Sequence, residues 1–239
     1  VPRVPSRSHY DPLLDCVLHT GQNAFDAALE FPVGADLAID IETPGFAQAF
    51  TIRCVTVAWE RSGEMHTALF DAGRDEKAAD MVSALIHHCG RLILHNAPYD
   101  VPALYHHRIL DFDGIDKITD TLVLARMAYP NPLVKKDLTA MSIKHLGLDE
   151  FAGGMATAFK AAGFATLQEG YEGMDIDSPI YRFGAMADTV ATLRLEPVLR
   201  FHTRALLTDH RFNSRGAETT DDADAVIATQ ETVNRIMLR

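Results

Sequence analysis

The chain has 239 residues, 47% of them hydrophobic and 23% charged, and its formal net charge is −11. That length suits one large domain with a real core, and no apolar run approaches the ~20 residues of a bilayer-spanning helix, so no membrane partner is expected. The negative charge excludes a broad, sequence-independent grip on nucleic acid through Lys and Arg, but not a nuclease, whose clustered carboxylates raise the negative count themselves.

In chain order, residues 1–15 are punctuated by Pro and Ser and read as an irregular arm. A short strand near Val17-Leu18 and a helix from Asn23 to Leu29 come next. Three strands follow: Leu37 to Glu42, Phe50 to Glu60 and His66 to Phe70. Thr51, Val55 and Val57 are β-branched, and Gly63 marks a hairpin. Ala78, Met81, Val82, Leu85 and Ile86 have helical spacing over Asp75 to Cys89. Arg91 to His95 reads as a buried fourth strand, leading into a helix from Ala97 to Arg108. The remainder is mostly helical: Thr121 to Ala128, Leu138 to Leu146, Ala152 to Ala162 and Pro179 to Leu207. The stretch His210 to Asp222 reads as a loop before a last helical run, Ala225 to Leu238. Strands that first meander and then alternate with helices predict an α/β fold, a mixed sheet flanked by helices. The main domain is expected over 16–208, with a linker and C-terminal helix over 209–239.

Cys16, Cys54 and Cys89 are odd in number and lack metal-ligand spacing, which suits free thiols in a reducing, cytoplasmic setting. The chain begins at Val1 and stops at Arg239 inside a helical run, as a fragment or processed product would.

Asp40-Ile41-Glu42-Thr43 closes an apolar strand. Residues i and i+2 of a strand share a face, so Asp40 and Glu42 place two carboxylates side by side. Such charges repel, and a bound cation is the usual remedy. Taken alone, the pair is also what a solvated strand end looks like. The second group, His95-Asn96-Ala97-Pro98-Tyr99-Asp100, lies where a strand gives way to a helix, the location at which open sheets bind ligands; Asn96 and Asp100 also suit a turn and a cap. The third carboxylate, Asp188, is interior to a helix that Ser178-Pro179 should start.

Taken in order, these groups, together with Asp120-Thr121, Lys136-Asp137-Leu138-Thr139-Ala140-Met141 and Asp188-Thr189-Val190-Ala191-Thr192-Leu193, resemble the DEDD superfamily of 3′–5′ exonucleases. The resemblance covers about residues 15 to 207 and points in particular to the proofreading exonuclease domain of family A DNA polymerases, with RNase D as a relative. It implies an RNase H-like sheet and makes Asp40, Glu42, Asp100 and Asp188 catalytic metal ligands for two divalent ions, Mg²⁺ or Mn²⁺. Asp120 would be an outer partner or a helix cap. Thr43, Phe46 and Asn96 stand where the superfamily meets the terminal nucleotide, and Lys136, in the basic run Lys135, Lys136, Lys144 and His145, would contact phosphate.

The implied activity is proofreading-like hydrolysis of single-stranded DNA from its 3′ end, with a DNA polymerase module or partner. RNA is the alternative substrate, and a catalytically weakened binding domain is the alternative of another class. The chain departs from the superfamily at one place. A Tyr four residues before the last Asp, or a His five before it, is usual there, and this chain has Gly184 and Phe183. Tyr181 lies roughly 10 Å along the helix from Asp188 at ~1.5 Å per residue, too far to be an obvious substitute. On this reading, Gly184→Tyr should speed cleavage.

Overall fold

The computed structural model of the chain describes residues 15–45, 48–147, 159–209, 211, 217 and 219–239. Phe46, nearly all of the predicted arm and most of the helix expected over 152–162 lie outside the described residues.

Six strands form one mixed sheet: β1 (Cys16–Thr20), β2 (Asp36–Glu42), β3 (Cys54–Arg61), β4 (Glu64–Phe70), β5 (Arg91–Leu94) and β6 (Ile118–Asp120). They lie in the order β1-β4-β3-β2-β5-β6. The hairpins β2-β3 and β3-β4 are antiparallel, whereas β1 on β4, β5 on β2 and β6 on β5 are parallel. Parallel pairs need a crossover, and helices supply it. They are α1 (Gln22–Leu29), α2 (Glu76–His88), α3 (Ala97–His106), α4 (Phe112–Ile115), α5 (Thr121–Ala128), α6 (Leu138–Leu146), α7 (Leu167–Gly173), α8 (Pro179–Thr208) and α9 (Thr220–Leu238).

Alternation along β2 decides which helix meets which residue. Leu37, Ile39 and Ile41 join Val55, Val57 and Trp59 under α1, α2 and α3. Ala38 turns to the opposite face, where Cys54, Ala58 and Ile93 pack against Tyr181, Ala185, Met186 and Val190 of α8. A third cluster joins Leu124 and Ala125 of α5, Met141 of α6, Leu195 and Leu199 of α8 and Ile227 of α9. Each fully buried Leu or Ile contributes ~1.5–3 kcal/mol, so α8, which serves two clusters, is the element that joins the sheet to the helical half.

A chain of charges reinforces that junction. Arg91 on β5 forks onto Asp36 at 2.9 and 2.5 Å and reaches the buried Glu196 at 2.7 Å. Arg200 then links Glu196 at 2.6 Å to Glu231 of α9 at 2.7 Å, and Arg235 donates to the Ile118 carbonyl at 2.8 Å. The last helix is thereby tied to α8 and β6.

Five elements differ from the sequence reading. β3 begins at Cys54 rather than Phe50, which sits in a turn, 58% exposed, with its carbonyl accepting from His107 Nε2 at 2.8 Å. β6, three buried residues, is too short to show alternation. The short α4 and α7 fall in stretches to which no element was assigned from sequence. Helix α9 starts at Thr220, before Ala225, because Thr219 and Asp222 cap each other's backbone.

Candidate active site

Asp40 and Glu42 project from β2 on the α8 face. The strand partner of Asp40 is Thr56, whose hydroxyl donates to the Ala185 carbonyl at 3.1 Å and also bonds the Thr189 hydroxyl. Two turns of α8 are thereby clamped over Asp40, and Asp188, next to Thr189, is brought to it.

Asp100 arrives from the other side. Strand β5 follows β2 only as far as the Ala38–Ile93 pair, which leaves the end of β2 without a parallel neighbour. Asp100 Oδ1 accepts from the Ile41 N–H there at 3.2 Å, and the residue is 3% exposed. Its helix is aimed by Asp120, whose carboxylate accepts from the N–H groups of Asn96 and Ala97, both at 3.0 Å, and of Leu122 at 2.8 Å. One buried carboxylate thus joins the N-termini of α3 and α5; it is the cap that the sequence allowed for, turned on two helices at once.

Electrostatics shows the four carboxylates to be one set. Burial pushes Asp40 up to about 7. Burial first, and then the charges of Asp40, Asp188 and Asp100, hold Glu42 well above the usual carboxylate range, with Arg53 opposing. Asp100 and Asp188 are likewise raised, by burial and by Asp40. Among the described residues no three His, Cys, Asp or Glu side chains are drawn in to the spacing of a metal cage. The set is mutually repelling rather than a closed coordination shell. Its donors are all carboxylate oxygens, which fit a hard divalent cation.

Of the predicted substrate residues, Thr43 is buried beside this set, its hydroxyl 2.7 Å from the Tyr99 hydroxyl and accepting from the Gly45 N–H at 3.3 Å. Asn96 is exposed at the start of α3 in a left-handed backbone conformation, φ 70°. The Lys136 ammonium donates to the carbonyls of Asn131 at 2.9 Å and Val134 at 2.7 Å, which ties it to its own turn. A cavity of about 770 Å³ opens elsewhere, lined by Phe50, Tyr105, Phe112 and Leu238, and none of the four carboxylates lines it.

Gly184 is buried one turn before Asp188, while Phe183 is 37% exposed. Tyr181 is 1% exposed, with the Arg53 guanidinium 5.0 Å from its ring centre, and its hydroxyl has no hydrogen-bond partner among the described residues. Tyr171 on α7 was not singled out by sequence. Burial, then the charges of Glu42, Asp188 and Asp40, raise its phenol above the ordinary range. A signal for its helix was present: Thr166 and Glu169 are a capping box.

No protein-family model matches the chain, and no curated protein matches it. Among solved structures, the chain is similar to the EXO domain of Nibbler from Aedes aegypti, with a TM-score of 0.54 and 12% identity over 91% of this chain and 95% of that one. At that identity the likeness is one of fold. Six strands in a mixed sheet, flanked by helices and matching an exonuclease domain over nearly its whole length, make this an α/β chain of RNase H-like fold.

Proposed function

We propose that the chain is a metal-dependent 3′–5′ exonuclease that hydrolyses terminal phosphodiesters of single-stranded DNA to nucleoside monophosphates. The observation that carries this reading is the meeting of Asp40, Glu42, Asp100 and Asp188, from β2, α3 and α8, at the carboxyl end of one central strand. Four ionised carboxylates so placed are stable only with compensating positive charge.

These four residues would hold two divalent ions, Mg²⁺ or Mn²⁺. When bound, such a pair supplies an activated water and stabilises the leaving oxygen of an in-line displacement at phosphorus. The chain's own residues do the rest. Asp120 keeps Asp100 directed at the β2 end through α3. Thr56 keeps Asp188 over Asp40 through α8. Thr43, fixed by Tyr99, and Asn96, exposed at the start of α3, would receive the terminal nucleotide, and Lys136 would contact phosphate.

DNA rather than RNA is proposed on the order and spacing of the motifs that resemble proofreading domains, and a polymerase module or partner belongs to the same reading. The test is incubation of end-labelled single-stranded DNA and RNA oligomers with Mg²⁺, Mn²⁺ or chelator. The expected result is stepwise shortening of DNA from its 3′ end, lost in chelator and in Asp188→Asn. Undiminished cleavage in chelator would refute the two-ion scheme. Cleavage of RNA alone would replace the substrate, and cleavage of neither would leave a binding domain.

A further inference from the structure

Away from the carboxylates, the β1 edge of the sheet carries a cluster of rings. Strand β1 pairs with β4 alone, in parallel register from Cys16–Met65 to Thr20–Leu69, and it buries little apolar surface, since Val17 and Leu18 are both exposed. With so little burial to hold it, the strand depends on its side-chain anchors.

One anchor is a bond between two imidazoles: His19 Nε2 of β1 lies 3.0 Å from His66 Nδ1 of β4. The two rings are parallel to within 2°, and both lie nearly parallel to the indole of Trp59 on β3, whose centroid is 6.1 Å from that of His19 and 5.5 Å from that of His66. Phe31 meets Trp59 edge-on at 6.0 Å. His66 is buried, and its Nε2 has no hydrogen-bond partner among the described residues. The charged groups that act on the pair are Arg61 of β3, Glu64 of β4 and Glu30 just beyond α1, which is paired with Arg61. Burial first, then the facing imidazole and Arg61, hold His19 below the ordinary histidine range, and burial followed by Arg61 does the same for His66.

A bond between two neutral imidazoles needs a proton on one facing nitrogen and a lone pair on the other. One added proton can be placed without disturbing that arrangement. A second makes every ring nitrogen a donor, so the bond is lost and two like charges face each other. We propose that the His19–His66 pair is an acid-sensitive clasp that holds the edge strand β1 on β4 and releases it when both imidazoles are protonated. The clasp is independent of the nuclease reading, because β4 and β3 lie between it and β2. A histidine held low in the fold contributes stability that is full above ~6.5 and is lost as the pH falls through its value in the fold. The released strand, with its imidazole in water, takes up the proton.

The test follows the full chain in chelator from about pH 8 to about pH 4.5. Its readouts are local, because the carboxylate set gains stability over the same fall in pH. Trp59 is the only tryptophan, and an imidazolium stacked on an indole quenches its emission. Amide exchange at Cys16–Thr20, corrected for the intrinsic rate, reports release of β1. Each proton taken up on release changes protection by up to about tenfold per pH unit. In the parent, protection of β1 should therefore fall by about 10- to 100-fold over its steepest pH unit while that of β5 does not fall, and Trp59 emission should drop over the same range. His19→Gln keeps a hydrogen-bonding group on β1 that takes up no proton, and should limit the dependence to about tenfold per unit or less. Protection of β1 that is flat in the parent, that falls in step with β5, or that falls as steeply in His19→Gln would overturn the clasp. Should His19→Gln fail to fold, the parent decides: Trp59 emission unchanged to the lowest pH would overturn it.

Discussion

Asp40→Asn tests the electrostatic core of the site without needing a substrate. In the metal-free fold the Asp40 carboxyl is pushed up to about 7, against ~3.9 in an unfolded chain. A carboxyl raised in this way contributes stability that is fully present below the unfolded value and is lost as pH rises through the folded one. At ~1.36 kcal/mol per pH unit, keeping Asp40 ionised in the fold costs about 4 kcal/mol by pH 8. Asn removes that charge at nearly constant volume. In chelator at pH 8 the variant should therefore melt about 10 °C above the parent, given ~2–4 °C per kcal/mol for a chain of this size. At pH 4 the two should nearly coincide. The parent should lose stability between pH 4 and 8 and regain it on addition of Mn²⁺, while Asp40→Asn, which keeps the raised carboxyls of Glu42, Asp100 and Asp188, responds less to both. Thermal melts across that range measure this directly. A variant no more stable than the parent at pH 8 in chelator would refute the claim that burial makes an ionised carboxylate at position 40 costly in the metal-free fold.

Asp120→Ala removes the acceptor of three backbone N–H groups and should cost about 3 kcal/mol, since a helix cap contributes ~1 kcal/mol and a hydrogen bond to a charged group ~1.5–3. Cleavage should slow as α3 and Asp100 lose their orientation, with Asp120→Asn intermediate; an unchanged melting temperature would mean that the caps are dispensable. Gly184→Tyr tests the expectation from sequence. Position 184 is buried, so the variant should lose ~1–3 kcal/mol to overpacking while cleaving faster in a single-turnover assay below its melting range; no gain in rate would show that the water is already held.

Sequence alone determined the elements with strong local signals. The alternation of β2, the helical spacing of α2 and the Ser178-Pro179 start of α8 are properties of neighbouring residues, and they appear where expected. It also singled out Asp40, Glu42, Asp100 and Asp188 through motif order. Their meeting is tertiary. It depends on β5 pairing with β2 only to Ala38, which frees the Ile41 N–H for Asp100, and on Thr56 capturing α8, contacts 59 and 129 residues apart in the chain. The double capping by Asp120 and the fastening of α7 by Arg53, which donates to the Tyr171 and Met174 carbonyls, are equally invisible locally, because an Asp or Arg carries the same short-range signal whether it faces water or a distant backbone. Chemistry-bearing residue types can be read from the chain, but which of them share a cleft is decided by how the sheet is ordered and which helix lies across it.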